Sequence, residues 1–338
     1  MTTDPDGGAR KLRVAVIGCG PIGDLHARAI AGAGCAALVA VCDTDPARAA
    51  SAAERWRAAA YGDARQLLAG ERLDAVTIAT PDHLHVEPAL QAIDAGCHVF
   101  CEKPLAAGAA EARRVVQAAA EHGVRLAVDY NRRFAFGYCT ARRHLDEGSI
   151  GRLETCLVRV TDPVPPPAVA RHPHVILTTL LTHHLDLLRW LGGEIRRVYA
   201  TTGSQPDGPL VQNVCLSLDF AGGAIGTIVA GYRSGQSRTA EWMELSGSAG
   251  SLVVEDVTRR VILTGADPDR RQVFEPSPFA AAGAFYDSLV EHVQTFLAHV
   301  ARGAAPPVTG RDGLASLLLA EAAIESLQTG QRVEVPIP

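Results

Sequence analysis

Six residues near the start of the chain, Gly18-Cys19-Gly20-Pro21-Ile22-Gly23, narrow the possible folds more than any other segment. They stand between a valine-rich apolar run, residues 12–17, and a helical stretch over residues 22–33. In a G-x-G-x-x-G loop at a strand-to-helix junction, the first glycine permits a tight turn. The second lets backbone approach a pyrophosphate, and the third lets helix and strand pack closely. The helix N-terminus then offers N–H groups and the positive end of its dipole to phosphates. A second apolar run, residues 37–42, ends at Asp43, about 20 residues beyond the loop, where a carboxylate accepts the adenosine ribose hydroxyls and repels a 2′-phosphate. The pattern favours NAD over NADP. Arg48, which could accommodate the extra phosphate of NADP, reads as a solvated charge on the next helix.

Strands and helices continue to alternate. Asp45-Pro46 opens a helix, residues 75–79 form a strand, and a helix follows over 85–95. Residues 98–101 form another strand, 108–122 a helix, and 125–129 a fifth strand. This order predicts a doubly wound parallel sheet, and residues 10–129 are taken as a Rossmann domain. Beyond residue 130 the pattern changes. Residues 131–148 look helical, 152–161 alternate as a long strand, and Pro163 to Pro167 is a proline-rich loop. An amphipathic helix over 178–191 stops at Gly192-Gly193. Six strand-like runs follow without intervening helices, then two helices over 284–302 and 311–329. Residues 130–338 are expected to form an α+β domain, with a large, mostly antiparallel, open-faced sheet covered by helices on one side.

With 338 residues, 47% of them hydrophobic, the chain can bury two cores. A net charge of −5 with no basic tract gives no footing for a nucleic-acid partner. No uncharged apolar run is long enough for a membrane span, and the polar first ten residues do not read as a signal peptide. The eight cysteines form no C-x-x-C pair and read as reduced residues of a cytoplasmic protein. Histidine, cysteine and carboxylate residues show no metal-ligand spacing, so no metal is expected. Of the 32 basic residues only Lys11 and Lys103 are lysine. A lysine kept at 103 matters because arginine cannot release a proton near neutral pH and lysine can.

Several segments resemble the glucose–fructose oxidoreductase / inositol dehydrogenase (Gfo/Idh/MocA) family over nearly the whole chain. They are Thr80-Pro81 through His85, the triplet Glu102-Lys103-Pro104, Asn131-Arg132-Arg133-Phe134, the H-x-x-D-x-x-R-W run from His183 to Trp190, and the C-terminal tail. The resemblance implies an NAD-dependent oxidoreductase. In such a protein Lys103 contacts the substrate hydroxyl beside the nicotinamide, and His183 is the general base toward the alcohol. An imidazole suits that task because it titrates near neutrality. Thr80, Pro81, Asp82, His85 and Asn131 are placed at the nicotinamide end. Glu102 is placed either to pair with Lys103 or to touch the nicotinamide ribose. His184 is read as packing or a secondary substrate contact, and His172 and His174 in a variable loop as substrate-contact candidates.

The sequence departs from the family at one important place. Many members carry an aspartate four residues before the histidine, and here that position is Thr179, which supplies no charge. The glycine-rich lead-in to the helix is missing too. These departures suggest a polyhydroxylated ring other than plain inositol or glucose: a sugar, an amino sugar such as an aminoglycoside, or a cyclitol of secondary metabolism. The reverse direction, reduction of a ketosugar, fits the same residues. A catalytically silent NAD-binding protein and a lyase or isomerase working through transient oxidation also remain open. An apolar outer sheet face would suit a homodimer or homotetramer.

Overall fold

The computed structural model describes residues 10–163, 171–203, 210–232, 240–267, 269–277 and 284–338. Most of the proline-rich loop lies outside them. The chain divides into two compact units. One holds residues up to Asn131 together with Tyr286–Leu314, and the other holds Arg132–Phe285 with Ala315–Pro338.

The first unit is a doubly wound parallel sheet. Its strands are β1 (Leu12–Ile17), β2 (Ala36–Cys42), β3 (Ala59–Tyr61), β4 (Ala75–Ile78), β5 (His98–Cys101) and β6 (Leu126–Val128), in the order β3-β2-β1-β4-β5-β6. The helices are α1 (Pro21–Gly32), α2 (Pro46–Trp56), α3 (Ala64–Gly70), α4 (Val86–Asp94) and α5 (Ala109–Glu121). The central strands are buried on both faces, as a helix-covered parallel sheet requires, and this explains why β1 and β4 read as largely apolar runs. The Asp45 side chain accepts from the N–H groups of Ala47 and Arg48 and caps α2, with Pro46 at its first position. Strand β3 was not anticipated. It is three residues at the sheet edge, too short for any periodicity to show.

The second unit begins with α6 (Phe136–Asp146) and β7 (Leu153–Asp162), followed by α7 (Thr182–Gly192). Next come β8 (Ile195–Thr201), β9 (Asn213–Phe220), β10 (Ile225–Tyr232), β11 (Glu241–Gly247), β12 (Gly250–Glu255), β13 (Arg260–Thr264) and β14 (Arg271–Phe274). Two helices, α8 (Ala284–Ala301) and α9 (Gly310–Thr329), and a short β15 (Val333–Glu334) complete the chain. Nine strands form one sheet in the order β14-β13-β12-β11-β7-β10-β9-β8-β15, antiparallel except where β7 and β10 run parallel. Alternation settles which face is which. Cys156, Val158 and Val160 of β7 are buried, with Leu157 and Arg159 between them exposed. The inner face packs on α7 and on Leu319, Ala320, Ala322 and Ala323 of α9.

One expected boundary changes. The sequence reading kept 130–338 together, but Tyr286–Leu314 belongs to the parallel unit. The reason is packing: Leu289, Val293, Phe296 and Leu297 of α8 are buried in the same core as Val14, Ala27, Ile30 and Phe100. Phe296 is fully buried, 5.4 Å from the Phe100 ring. Phe296→Ala should therefore destabilise the NAD-binding unit by roughly 3–5 kcal/mol, read from chemical denaturation. A loss under about 1 kcal/mol would show that α8 is dispensable to that core.

Candidate active site

In the parallel unit the candidate residues gather at the C-terminal ends of the strands, where ligands sit in open α/β sheets. Gly18 has φ +99°, and a side chain there would lie 2.6 Å from the Ala79 carbonyl. At Gly23 a Cβ would come within 1.8 Å of the Gly18 oxygen, so helix and turn touch through bare backbone. At Gly20 a Cβ would meet nothing within 4 Å. That glycine faces open space at the uncapped N-terminus of α1, where a pyrophosphate fits. Asp43 does two jobs. Its Oδ2 accepts from Cys19 N–H at 2.8 Å and its Oδ1 from Asp45 N–H at 2.9 Å, tying the glycine loop to the end of β2. Burial and then the Asp43 charge push the Cys19 thiol up to about 12, so no thiolate opposes the phosphates. Arg48 is exposed and pairs with Asp45.

His85 is buried, with Nδ1 2.7 Å from the Pro104 carbonyl and Nε2 2.8 Å from that of Thr80. It thus straps the loop after β4 to the loop after β5. A neutral imidazole donates to one of these two carbonyls, and the ring packs between both loops. Thr80 Oγ1 and Asn131 Oδ1 are buried polar atoms with no hydrogen-bond partner among the described residues, as groups awaiting a polar ligand would be. Pro81 and Asp82 follow in the β4 loop, Pro81 exposed and Asp82 partly so. Glu102 and Lys103 follow β5 directly and are half-buried. Glu102 Oε1 lies 3.2 Å from His26 Nε2, and Oε2 lies 3.3 Å from the Lys103 N–H. His26, Glu102 and Asp129 bring their ligating atoms within 4.8 Å of one another, a grouping no sequence spacing announced.

In the other unit, His183 lies in the first turn of α7 and is 8% exposed. Before it runs a π turn, Ile176–Leu180, in which Leu181 N–H reaches back five residues to the Ile176 carbonyl at 2.9 Å. The expectation that Thr179 stands one α-helical turn below His183 therefore needs correction. The wider turn breaks the four-residue register assumed for them. Thr178 Oγ1 lies 3.1 Å from His172 Nε2. Burial, and then His172, push the imidazole of His174 toward its neutral form. His184 is fully buried, with Nε2 3.1 Å from Glu241. Its reading as a substrate contact gives way to packing. Arg132 and Tyr138 also bond Glu241, and against burial the Arg132 charge, then the contact with His184, holds its carboxyl far below the usual range. Arg133 Nε bonds Asp186 at 2.7 Å and its guanidinium lies over Trp190. The Arg133–Asp186 ion pair and the contact of His184 with Glu241 thus hold the helix that carries His183.

Residues 12–130 match the oxidoreductase family with an NAD-binding Rossmann fold, and residues 138–253 match the GFO/IDH/MocA C-terminal domain. The chain belongs to the Gfo/Idh/MocA oxidoreductase family. It is 33% identical to an inositol 2-dehydrogenase of Acidothermus cellulolyticus, covering 98% of this chain and 96% of that one. It is 29% identical to a myo-inositol 2-dehydrogenase of Thermotoga maritima, over 96% and 98% of the two chains. Levoglucosan dehydrogenase in complex with NADH and levoglucosan superposes with a TM-score of 0.87 at 25% identity, covering 97% and 100%. For this member of the family NAD is the cofactor, in keeping with the Asp43 carboxylate and the open cradle at Gly20. No helix among the described residues is long and apolar enough to cross a membrane.

The two cradle glycines make separable predictions. Gly20→Ala should fold normally yet weaken NAD binding at least tenfold by calorimetry, because the methyl enters the pyrophosphate space. Gly23→Ala should lose thermal stability as well, because its methyl has nowhere to go. Equal effects from both substitutions would contradict this division of labour.

Proposed function

We propose that the protein is an NAD-dependent dehydrogenase that oxidises a secondary alcohol of a sugar or cyclitol to a ketone. The reading is carried by full-length similarity to inositol 2-dehydrogenases together with Lys103 at the C-terminal end of β5. Bound NAD supplies the acceptor for the hydride leaving the alcohol carbon. The protein's own groups handle binding and the proton. Asp43 holds the adenosine ribose, the N-terminus of α1 holds the pyrophosphate, and Thr80 and Asn131 offer polar atoms to the nicotinamide end. The Lys103 amine donates a hydrogen bond to the substrate oxygen and steadies the negative charge that develops there. His183 takes the hydroxyl proton as general base. With no carboxylate at 179, Lys103 carries more of the proton's stabilisation than it would beside an Asp–His pair. His172, His174 and Thr179 lie in the segment leading to His183 and are the candidates for contacts to the remaining hydroxyls.

Two further features belong to this reading. The outer sheet face exposes Leu157, Tyr199, Ile225 and Val229, an apolar patch suited to a homodimer or homotetramer. All eight cysteines are free, which suits the reducing cytoplasm.

With NAD and a panel of sugars and cyclitols, the enzyme should form NADH. Lys103→Ala and His183→Ala should each lower kcat by about 10²–10⁴-fold, with NAD affinity held within about threefold. Silence across the panel with NAD bound would sink the dehydrogenase reading. The assembly is checked separately. Val229→Arg places a charge on the exposed apolar face and should shift the mass measured by light scattering to that of a smaller species, and an unchanged mass would remove this face from the interface.

A further inference from the structure

Beneath the end of β5 lies a buried polar cluster that the dehydrogenase reading does not use. Glu102 and the buried Asp129 bring carboxyl oxygens within 4.8 Å of one another. Two ionised carboxylates that close repel, and one proton held between them removes the repulsion. The surroundings decide which keeps it. Glu102 faces His26 Nε2 on one oxygen and the Lys103 N–H on the other, with the Lys103 charge beside it. Asp129, at the end of β6, is 2% exposed, and its Oδ1 lies 2.8 Å from Nδ1 of the fully buried His292 on α8. Both imidazoles stand edge-on to the Phe100 ring, His26 at 5.5 Å and His292 at 4.8 Å, which restrains their rotation.

We propose that Asp129 is held as a neutral carboxylic acid between Glu102 and His292, and that it is a positioning residue keeping the Glu102 carboxylate ionised and fixed beside Lys103. Its O–H donates to Glu102, while its other oxygen accepts from the Nδ1–H of His292. Electrostatics agree. Burial, then the neighbouring Glu102 charge, drive the Asp129 carboxyl well above its usual range. The contact with His26, against burial, holds Glu102 below its own. The groups facing the pair are His26 from α1, Cys101, Glu102 and Lys103 from β5 and its loop, and His292 from α8. Cys101 is itself kept a neutral thiol by burial. The three donors could also surround a cation, but His26 is fully enclosed and Asp129 nearly so, which leaves little path for an ion to enter. One shared proton satisfies the same oxygens.

The part of this inference that concerns Lys103 rests on the dehydrogenase reading; the proton on Asp129 does not, and the two are tested apart. The first test is thermal unfolding of the full-length protein across pH, wild type against Asp129→Asn. Asparagine mimics the neutral acid and does not titrate. Because the folded Asp129 keeps its proton to higher pH than the unfolded one, its stability contribution falls as pH rises above about 4. The Tm of Asp129→Asn should therefore gain on wild type steadily toward alkaline pH. A pH-independent gap, or one moving the other way as an ionised Asp129 would give, overturns the proposal. So does a stoichiometric metal found by mass spectrometry in the purified protein. The second test is turnover. Asp129→Leu should lower kcat on the order of 10²-fold through misplacement of Glu102 and Lys103 and displace the pH profile, with NAD affinity little changed. Asp129→Asn should restore most of the loss. A normal pH profile in Asp129→Leu overturns the positioning role. Should wild type itself prove silent on every alcohol, the dehydrogenase reading fails while the stability test still decides the state of Asp129.

Discussion

Backbone-on-backbone contact at the first β-to-α turn is the constraint on which the NAD-binding unit depends. Gly23 lies so near Gly18, and Gly18 so near Ala79 and Thr80, that no side chain fits at either place. This closeness brings the ends of β1 and β4 together and sets the start of α1 against the edge of the sheet. It also fixes where Asp43 can act, since the Cys19 N–H that Asp43 accepts belongs to the same turn. A carboxylate used first to build the loop retains further lone pairs for a ribose. NAD preference and loop geometry are thus one piece of chemistry.

Within each unit the protein spends buried polarity on shape. His85 joins two loops through carbonyls, the Glu102–Asp129–His292 cluster supports the end of β5, and Glu241 gathers Arg132, Tyr138 and His184 behind α7. Buried charges are tolerated when each is paired and hydrogen-bonded, and removing one partner costs more than the pair is worth. Such clusters resist small displacements. A lysine or histidine held by them keeps its orientation without needing a partner at every neighbouring position, which gives a physical setting for a threonine at 179.

Long, strongly patterned elements were legible from the sequence. The apolar runs of β1, β2 and β4, the proline-opened α2 and the alternating β7 appear where composition and period place them. Elements whose identity depends on partners were not. Strand β3 and strand β15 are too short to show a period, and β14 pairs only because β13 is there. Helix α8 reads as amphipathic, but its sequence does not say whose core it joins. The π turn before His183 has no signature in residues that suit an α-helix equally well.

The sequence by itself determined the glycine cradle, the acidic end of β2, the lysine at 103 and the family, because each rests on residue type and local spacing. Tertiary structure alone decided that α8 completes the parallel unit and that His184 faces Glu241. It also decided that Asp129 and His292, 163 positions apart, meet beside Glu102. Their partners are distant in the chain, and burial and proximity of that kind are encoded by no local pattern of residues.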